Sequence, residues 1–195
     1  MESVSWPHPR KVDATAEVSV VVTSFLKLLC KLFHFNVYPP IGAYTCNNNQ
    51  PFVGANNIAY GFVAGSVQGQ AESRSCCACY ELTFTSSTVV GQKMIVQVTN
   101  TGSDLSTSHF DIQIPGGGVG IFNGCQSQWG APADGWGSRY GGVSSEADCS
   151  QLPAQLQAGC KWRFGWFKNA DNPTMTYKEV TCPTELTSIS GCIRS

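Results

Sequence analysis

Ten cysteines in a chain of 195 residues constrain the fold more than any other feature, because nine of them lie between Cys46 and Cys192. Cysteine at this density predicts a domain held together by disulfides in an oxidising, extracellular compartment. A zinc site is the alternative, but Cys76-Cys77-Ala78-Cys79 lacks the paired C-x-x-C spacing and the chain has only three histidines. We therefore expect a secreted, disulfide-linked protein with no metal and no other cofactor.

The composition argues against several classes of partner. Charged residues make up 13% of the chain and the formal net charge is −1, which gives no reason to expect nucleic acid or an anionic membrane. Twenty glycines and ten prolines separate short apolar stretches, a pattern typical of a loop-rich β protein. The length suits one domain, and we expect a monomer with no obligate protein partner.

Residues 1–43 differ in character from the rest of the chain. Residues 18–36 are strongly apolar, but Lys27, Lys31 and His34 would form one polar stripe on a helix. The run is therefore a poor bilayer span, and it begins too late for an ordinary cleavable signal peptide. It is an uncleaved amphipathic anchor, a damaged signal, or sequence foreign to the folded unit, such as a gene-model artefact. We favour the last interpretation because the pattern of residues in this segment is unlike that of residues 44–195.

Residues 44–195 carry the pattern of a small β-barrel. Alternating apolar residues predict strands at residues 79–85, 94–99, 109–114, 161–167 and 174–182, with these side chains inward in the first and fourth: Tyr80, Leu82, Phe84, Trp162, Phe164, Trp166. One short helix is predicted from Asn56-Asn57 through Ala64, and another from Pro153 to Gly159. Five or six short strands with long loops favour a barrel over a helical bundle.

Asp111 is the first candidate for chemistry, because it lies in a predicted strand that runs into a glycine-rich turn. Side chains alternate in direction along a strand, so Phe110 and Ile112 face the core while His109 and Asp111 face the other way. We expect a carboxyl group held on a firm, half-buried surface near apolar neighbours. Acid chemistry on a sugar requires such a group.

Six ordered motifs closely resemble those of glycoside hydrolase family 45, and they lie at residues 76–85, 108–111, 115–122, 139–142, 162–164 and 166–173. They include Ser108-His109-Phe110-Asp111 and Arg139-Tyr140-Gly141-Gly142. The resemblance covers about residues 44–195. It implies an endo-β-1,4-glucanase with a six-stranded double-psi β-barrel, long disulfide-linked loops and a few short helices. It also implies an open groove for a β-glucan chain and hydrolysis with inversion at the anomeric carbon.

The resemblance assigns roles to individual residues. Asp111 corresponds to the general acid, and Asp104 to an auxiliary aspartate on a loop over the cleft. His109 and Tyr140 correspond to cleft-side residues. Trp136 lies in a Gly/Pro/Ala-rich loop with Trp129, where an exposed indole would suit stacking on a glucose ring. The disulfides implied by the family join Cys77 to Cys192, Cys79 to Cys182, and Cys149 to Cys160.

The chain departs from the family at its beginning. Family members open with Thr-Arg-Tyr-Trp-Asp-Cys-Cys, whose aspartate is the general base, and no such motif occurs here. The family partners of Cys46, Cys76 and Cys125 also lie in that leader, so we expect these three thiols to be unpaired. Residues 44–195 are therefore predicted to be an N-terminally truncated catalytic barrel.

Two functions follow from the sequence. The first is an endoglucanase of cellulose or a related β-glucan, impaired by loss of its general base, since general-base assistance is typically worth about 10² to 10⁴ in rate. The second is a non-hydrolytic glucan-binding protein in the manner of expansins, which keep an acid in a similar motif but lack the base.

Overall fold

The computed structural model describes residues 16–17, 49–100, 108–120 and 123–194. The strands within them are β1 (Ala16–Glu17), β2 (Phe52–Val53), β3 (Ala59–Ser66), β4 (Cys79–Phe84), β5 (Lys93–Asn100), β6 (His109–Ile112) and β7 (Thr174–Val180). The α-helices are α1 (Glu72–Ser75), α2 (Gly124–Trp129), α3 (Gln157–Gly165) and α4 (Thr184–Ser190). Short 3-10 turns occur at Ala55–Asn57, Ser87–Val89, Ala147–Gln151 and Ala154–Leu156.

Strand pairing links six of these strands in a ring. The pairings run from β3 through β5, β4, β7, β1 and β6, and β6 pairs again with β3. β2 is a two-residue strand that pairs antiparallel with the start of β3. β1 lies between β6 and β7, parallel to the first with Glu17 opposite His109 and antiparallel to the second. The protein is therefore mainly β, as the sequence predicts.

The core lies inside this ring and is rich in aromatic residues. Tyr80, Leu82 and Phe84 of β4 are at most 1% exposed, which confirms the inward face predicted for this strand. The Tyr80 ring packs against Phe110 with centroids 5.4 Å apart and against Tyr177 at 6.0 Å. Burial raises the pKa of Tyr80 to about 12. Each such buried side chain contributes roughly 1.5–3 kcal/mol relative to an exposed one.

Two predicted elements are wrong in type. The helix predicted from Asn56-Asn57 is a 3-10 turn followed by strand β3, because both asparagines adopt positive φ (56° and 58°) and end the turn instead of capping a helix. The strand predicted at residues 161–167 is the end of helix α3. Trp162 and Trp166 are four residues apart, so on a helix they share one face, and their rings stack at 5.3 Å.

The helix predicted from Pro153 to Gly159 begins near the expected place but continues further. A 3-10 turn at Ala154–Leu156 leads into α3, which runs through Gly159 to Gly165. The N–H of Gly159 donates to the Gln50 side chain at 2.6 Å. The disulfide between Cys149 and Cys160 fastens α3 to the earlier 3-10 turn at Ala147–Gln151.

The three disulfides implied by the resemblance are confirmed: Cys77 with Cys192, Cys79 with Cys182, and Cys149 with Cys160. The expectation of unpaired thiols is wrong for Cys76 and Cys125, because both are disulfide-bonded. Cys46 lies outside the described residues. Of residues 1–43, only the backbone of β1 falls within the described part, so the division of the chain at residue 43 stays a prediction.

Candidate functional site

Asp111 lies in β6 and is paired in register with Ala64 of β3. Its exposed fraction is 2%, so the carboxyl group is more deeply buried than the half-buried position expected from sequence. His109 precedes it by two residues, which places both on one face of the strand. The His109 Nε2 atom lies 3.0 Å from Asp111 Oδ1. The geometry fixes a carboxyl group and an imidazole in contact, with the imidazole the more exposed of the two.

The start of β6 is fixed by Ser108. This residue adopts a left-handed conformation with φ of 58°, which directs the chain into the strand. Its hydroxyl is within hydrogen-bond distance of the Tyr177 hydroxyl on β7, at 3.0 Å. The Tyr177 ring in turn packs edge-on against Phe110 at 5.3 Å. These contacts hold the strand that carries Asp111 against the core.

The glycine-rich segment after β6 forms a close contact with a second loop. The N–H of Val143 donates to the Gly116 carbonyl and the N–H of Gly120 to the Arg139 carbonyl, both at 2.9 Å. A Cβ on Gly118 would collide with the backbone of Tyr140, and a Cβ on Gly142 with the carbonyl of Gly116. The glycines are therefore required for the two segments to touch.

Tyr140 lies at the tip of this second loop, which is a tight hairpin from Ser138 to Gly142. The N–H of Ser138 donates to the Gly142 carbonyl at 2.9 Å, and the N–H of Gly142 donates to the Ser138 carbonyl at 2.8 Å. The Tyr140 side chain is among the most exposed large apolar groups of the described residues, at 64%. It borders an open pocket of about 280 Å³ whose other lining residues are Gly141, Arg163, Asn169, Ala170 and Asp171.

Arg163 of α3 is one of the residues that line this pocket. Its Nη1 donates to the carbonyls of Gly141 and Val143, at 2.9 and 3.3 Å, and its Nε donates to Asn169 Oδ1 at 2.9 Å. Burial lowers the pKa of Arg163, and the negative charge of Asp171 opposes that shift. Sequence reasoning missed this residue. The available signal was a cation placed between two aromatic residues of α3, Trp162 and Phe164.

The other candidates from the sequence lie in different places. Trp136 is half-buried and packs, with Trp129, against two small apolar clusters around Val143 and Val119. Most of its surface is therefore used in packing. Asp104 lies outside the described residues. Within the described part of the chain, no group of three His, Cys, Asp or Glu side chains is arranged to hold a metal ion. None of the helices that the structure describes is long and apolar enough to cross a membrane.

Comparisons with known proteins agree with one another. The sequence model of glycosyl hydrolase family 45 matches residues 40–193. An endoglucanase of Cryptopygus antarcticus is 66% identical over 153 residues, which cover 78% of this chain and 68% of that protein. A putative endoglucanase type K of Fusarium oxysporum is 53% identical over 152 residues, which cover 78% of this chain and 40% of that protein.

A solved structure gives the same result for the fold. The crystal structure of the cellulase from the Antarctic springtail Cryptopygus antarcticus matches with a TM-score of 0.80 and 50% identity. The match covers 93% of this chain and 97% of that chain. It therefore extends over more of this chain than the family model, which matches residues 40–193. The double-psi barrel fold implied by the sequence is confirmed.

Proposed function

The chain belongs to glycosyl hydrolase family 45, and from that premise we infer that it is an endoglucanase acting on β-1,4-linked glucan. The observation that carries the inference is the buried carboxyl group of Asp111 in contact with His109, within a motif that resembles the acid motif of the family. The 66% identity to an endoglucanase supports the substrate class, a β-glucan polysaccharide.

We propose that Asp111 is the general acid. In its protonated form it donates a proton to the departing glycosidic oxygen while the bond from that oxygen to the anomeric carbon breaks. Water adds to the opposite face of the anomeric carbon. One of its protons stays in the new hydroxyl group, and the other passes to a general base or, where that base is missing, to solvent water. The contact with His109 fixes the carboxyl rotamer, and the pairing with Ala64 fixes its strand. His109 and Tyr140 are proposed to lie beside the bound glucan.

The general base is the missing part of the proposal. Inversion requires two carboxyl groups about 6.5–9.5 Å apart, with water between them. The family motif that supplies the second group does not occur in the chain, and Asp104 is proposed only as an auxiliary aspartate. We therefore expect turnover about 10²- to 10⁴-fold below that of a family member with both carboxylates.

The experiment follows hydrolysis of carboxymethyl-cellulose by viscosity and by reducing ends. An endo-acting enzyme lowers viscosity early, when few reducing ends have formed, and proton NMR of cello-oligosaccharide products should show the α-anomer first. Grafting a leader with an aspartate followed by two cysteines should raise the rate. The same leader with asparagine in place of the aspartate is the matched control. No difference between the two leaders would contradict the assignment of a missing base.

The missing motif also favours a second function, a non-hydrolytic β-glucan-binding protein. This alternative predicts retention on cellulose with no release of reducing ends. It also predicts that Asp111→Asn leaves the retention unchanged. Hydrolysis that is lost on the Asp111→Asn substitution would exclude it.

We propose that the protein is secreted and monomeric. The disulfides at Cys77, Cys79 and Cys149 support an oxidising compartment. A polymeric glucan outside the cell is also a substrate that an intracellular enzyme would not meet. Detection of the protein in the medium of expressing cells, and its mass by light scattering, would test the two statements separately.

A further inference from the structure

Arg163 connects two surface segments that are far apart in sequence. From α3 it reaches the carbonyls of Gly141 and Val143, which lie on either side of Gly142 at the end of the Tyr140 hairpin. Its Nε reaches Asn169, in the turn that follows α3. A planar guanidinium group presents several N–H donors in a fixed geometry, so one side chain can serve both segments. The ammonium group of lysine cannot reproduce that fork.

Two hydrogen bonds join Arg163 to Asn169, in the turn that follows α3. The N–H of Asn169 donates to the backbone carbonyl of Arg163 at 2.7 Å, in addition to the side-chain contact. Lys168 and Asn169 both adopt positive φ, 50° and 49°, a conformation that asparagine tolerates better than most residues. The turn is thus held in an uncommon backbone conformation by one arginine.

The pocket between these segments has the chemistry of a sugar-binding surface. Tyr140 offers an exposed aromatic ring, which can stack on the apolar face of a glucose unit. Arg163, Asn169 and Asp171 add donors and acceptors for hydroxyl groups along the same pocket. The Arg163 guanidinium also lies over the Phe164 ring at 5.3 Å, which keeps it in place beneath the hairpin.

We propose that Arg163 is a positioning residue for glucan binding, which holds the Tyr140 hairpin and the Asn169 turn as the two walls of one sugar pocket. The proposal rests on the proposed function, since it needs a β-glucan ligand. Arg163 acts through Tyr140, because removal of the guanidinium removes the two carbonyl contacts that tie the hairpin to α3. The pocket then binds less tightly although Asp111 is untouched.

The test measures binding of cellohexaose by calorimetry, and KM and kcat wherever turnover is detectable. Loss of one stacked ring corresponds to about 3- to 10-fold in Kd. We expect Arg163→Gln and Tyr140→Ala each to weaken binding by about this factor and to raise KM with kcat within about twofold. The double variant should bind no more weakly than Tyr140→Ala alone, because the two residues act as one unit. Arg194→Gln, which removes an ion pair with Glu179, is the control expected to bind as the unchanged protein does.

Asn169→Gly provides a second route if Arg163→Gln fails to fold, since glycine tolerates the positive φ but removes the acceptor of the Nε contact. Equal binding by the unchanged protein and by both variants would overturn the inference and leave the endoglucanase function intact. Additive losses in the double variant would also overturn it, since they indicate a general structural role. If the unchanged protein binds no β-glucan, the proposed function fails and the inference fails with it.

Discussion

At the scale of single residues, the buried side chain of Gln97 is satisfied by specific partners. Gln97 of β5 is fully buried, and its side chain donates to the carbonyls of Cys192 and Cys77 at 2.8 and 3.3 Å. It also accepts from the Ser190 hydroxyl at 2.6 Å. One amide therefore attaches the end of α4 to the barrel, next to the disulfide between Cys77 and Cys192.

Substituting Gln97 by methionine should lower the free energy of unfolding by about 1–3 kcal/mol, because the Ser190 hydroxyl and the Cys192 carbonyl would remain buried without their partner. Guanidinium unfolding of the oxidised protein measures this change. Gln92→Met is the matched control, since the buried Oε1 of Gln92 has no hydrogen-bond partner among the described residues. A loss of the same size in both variants would show that the Gln97 contacts contribute nothing specific.

At the scale of elements, strands with strict alternation could be predicted and segments fixed by tertiary contacts could not. β4 and β7 follow the predicted positions closely, because alternate side chains of each pack against the core. β6 is also found at the predicted position, although both of its faces are buried. The aromatic run of α3 fits both periods, since Trp162, Phe164 and Trp166 alternate while Trp162, Trp166 and Phe167 share a helical face. Only packing decides between them. Arg163 contacts Gly141 and Val143, which lie about 20 residues earlier in the chain, so no local sequence pattern predicts these contacts.

β1 provides an element-scale prediction, because it lies between two strands and must pair with both. Glu17→Pro removes a backbone donor from a strand with neighbours on each side and should cost about 1–3 kcal/mol. That corresponds to a thermal midpoint roughly 2–10 °C lower. Glu17→Ala retains the backbone N–H and is the control. If the two variants melt together, the pairing of β1 does not stabilise the barrel.

At the scale of the whole molecule, disulfides dominate stability. The bonds between Cys77 and Cys192 and between Cys79 and Cys182 close loops of 115 and 103 residues. In the chain-entropy model each contributes about 4–5 kcal/mol, which together approaches the net stability of a typical domain of about 5–15 kcal/mol. A chain this rich in loops therefore depends on its cross-links.

Reduction should unfold the protein at room temperature under conditions in which the oxidised form is folded, as followed by near-ultraviolet circular dichroism. Alkylation in denaturant without reductant, followed by peptide mass spectrometry, should leave Cys76 and Cys125 unmodified, since both are disulfide-bonded. Alkylation at either position would restore the unpaired-thiol expectation that the structure overturns. A reduced protein that keeps its spectrum would show that the core alone suffices.

The central claim is that Asp111 delivers the proton in glucan hydrolysis, and one comparison tests it most directly. The rate of reducing-end release from carboxymethyl-cellulose is measured for the unchanged protein, for Asp111→Asn, and for Glu146→Gln as an exposed-carboxylate control. We predict a loss of about 10²- to 10⁴-fold for Asp111→Asn and no change for the control. Hydrolysis by Asp111→Asn at the rate of the unchanged protein would contradict the account.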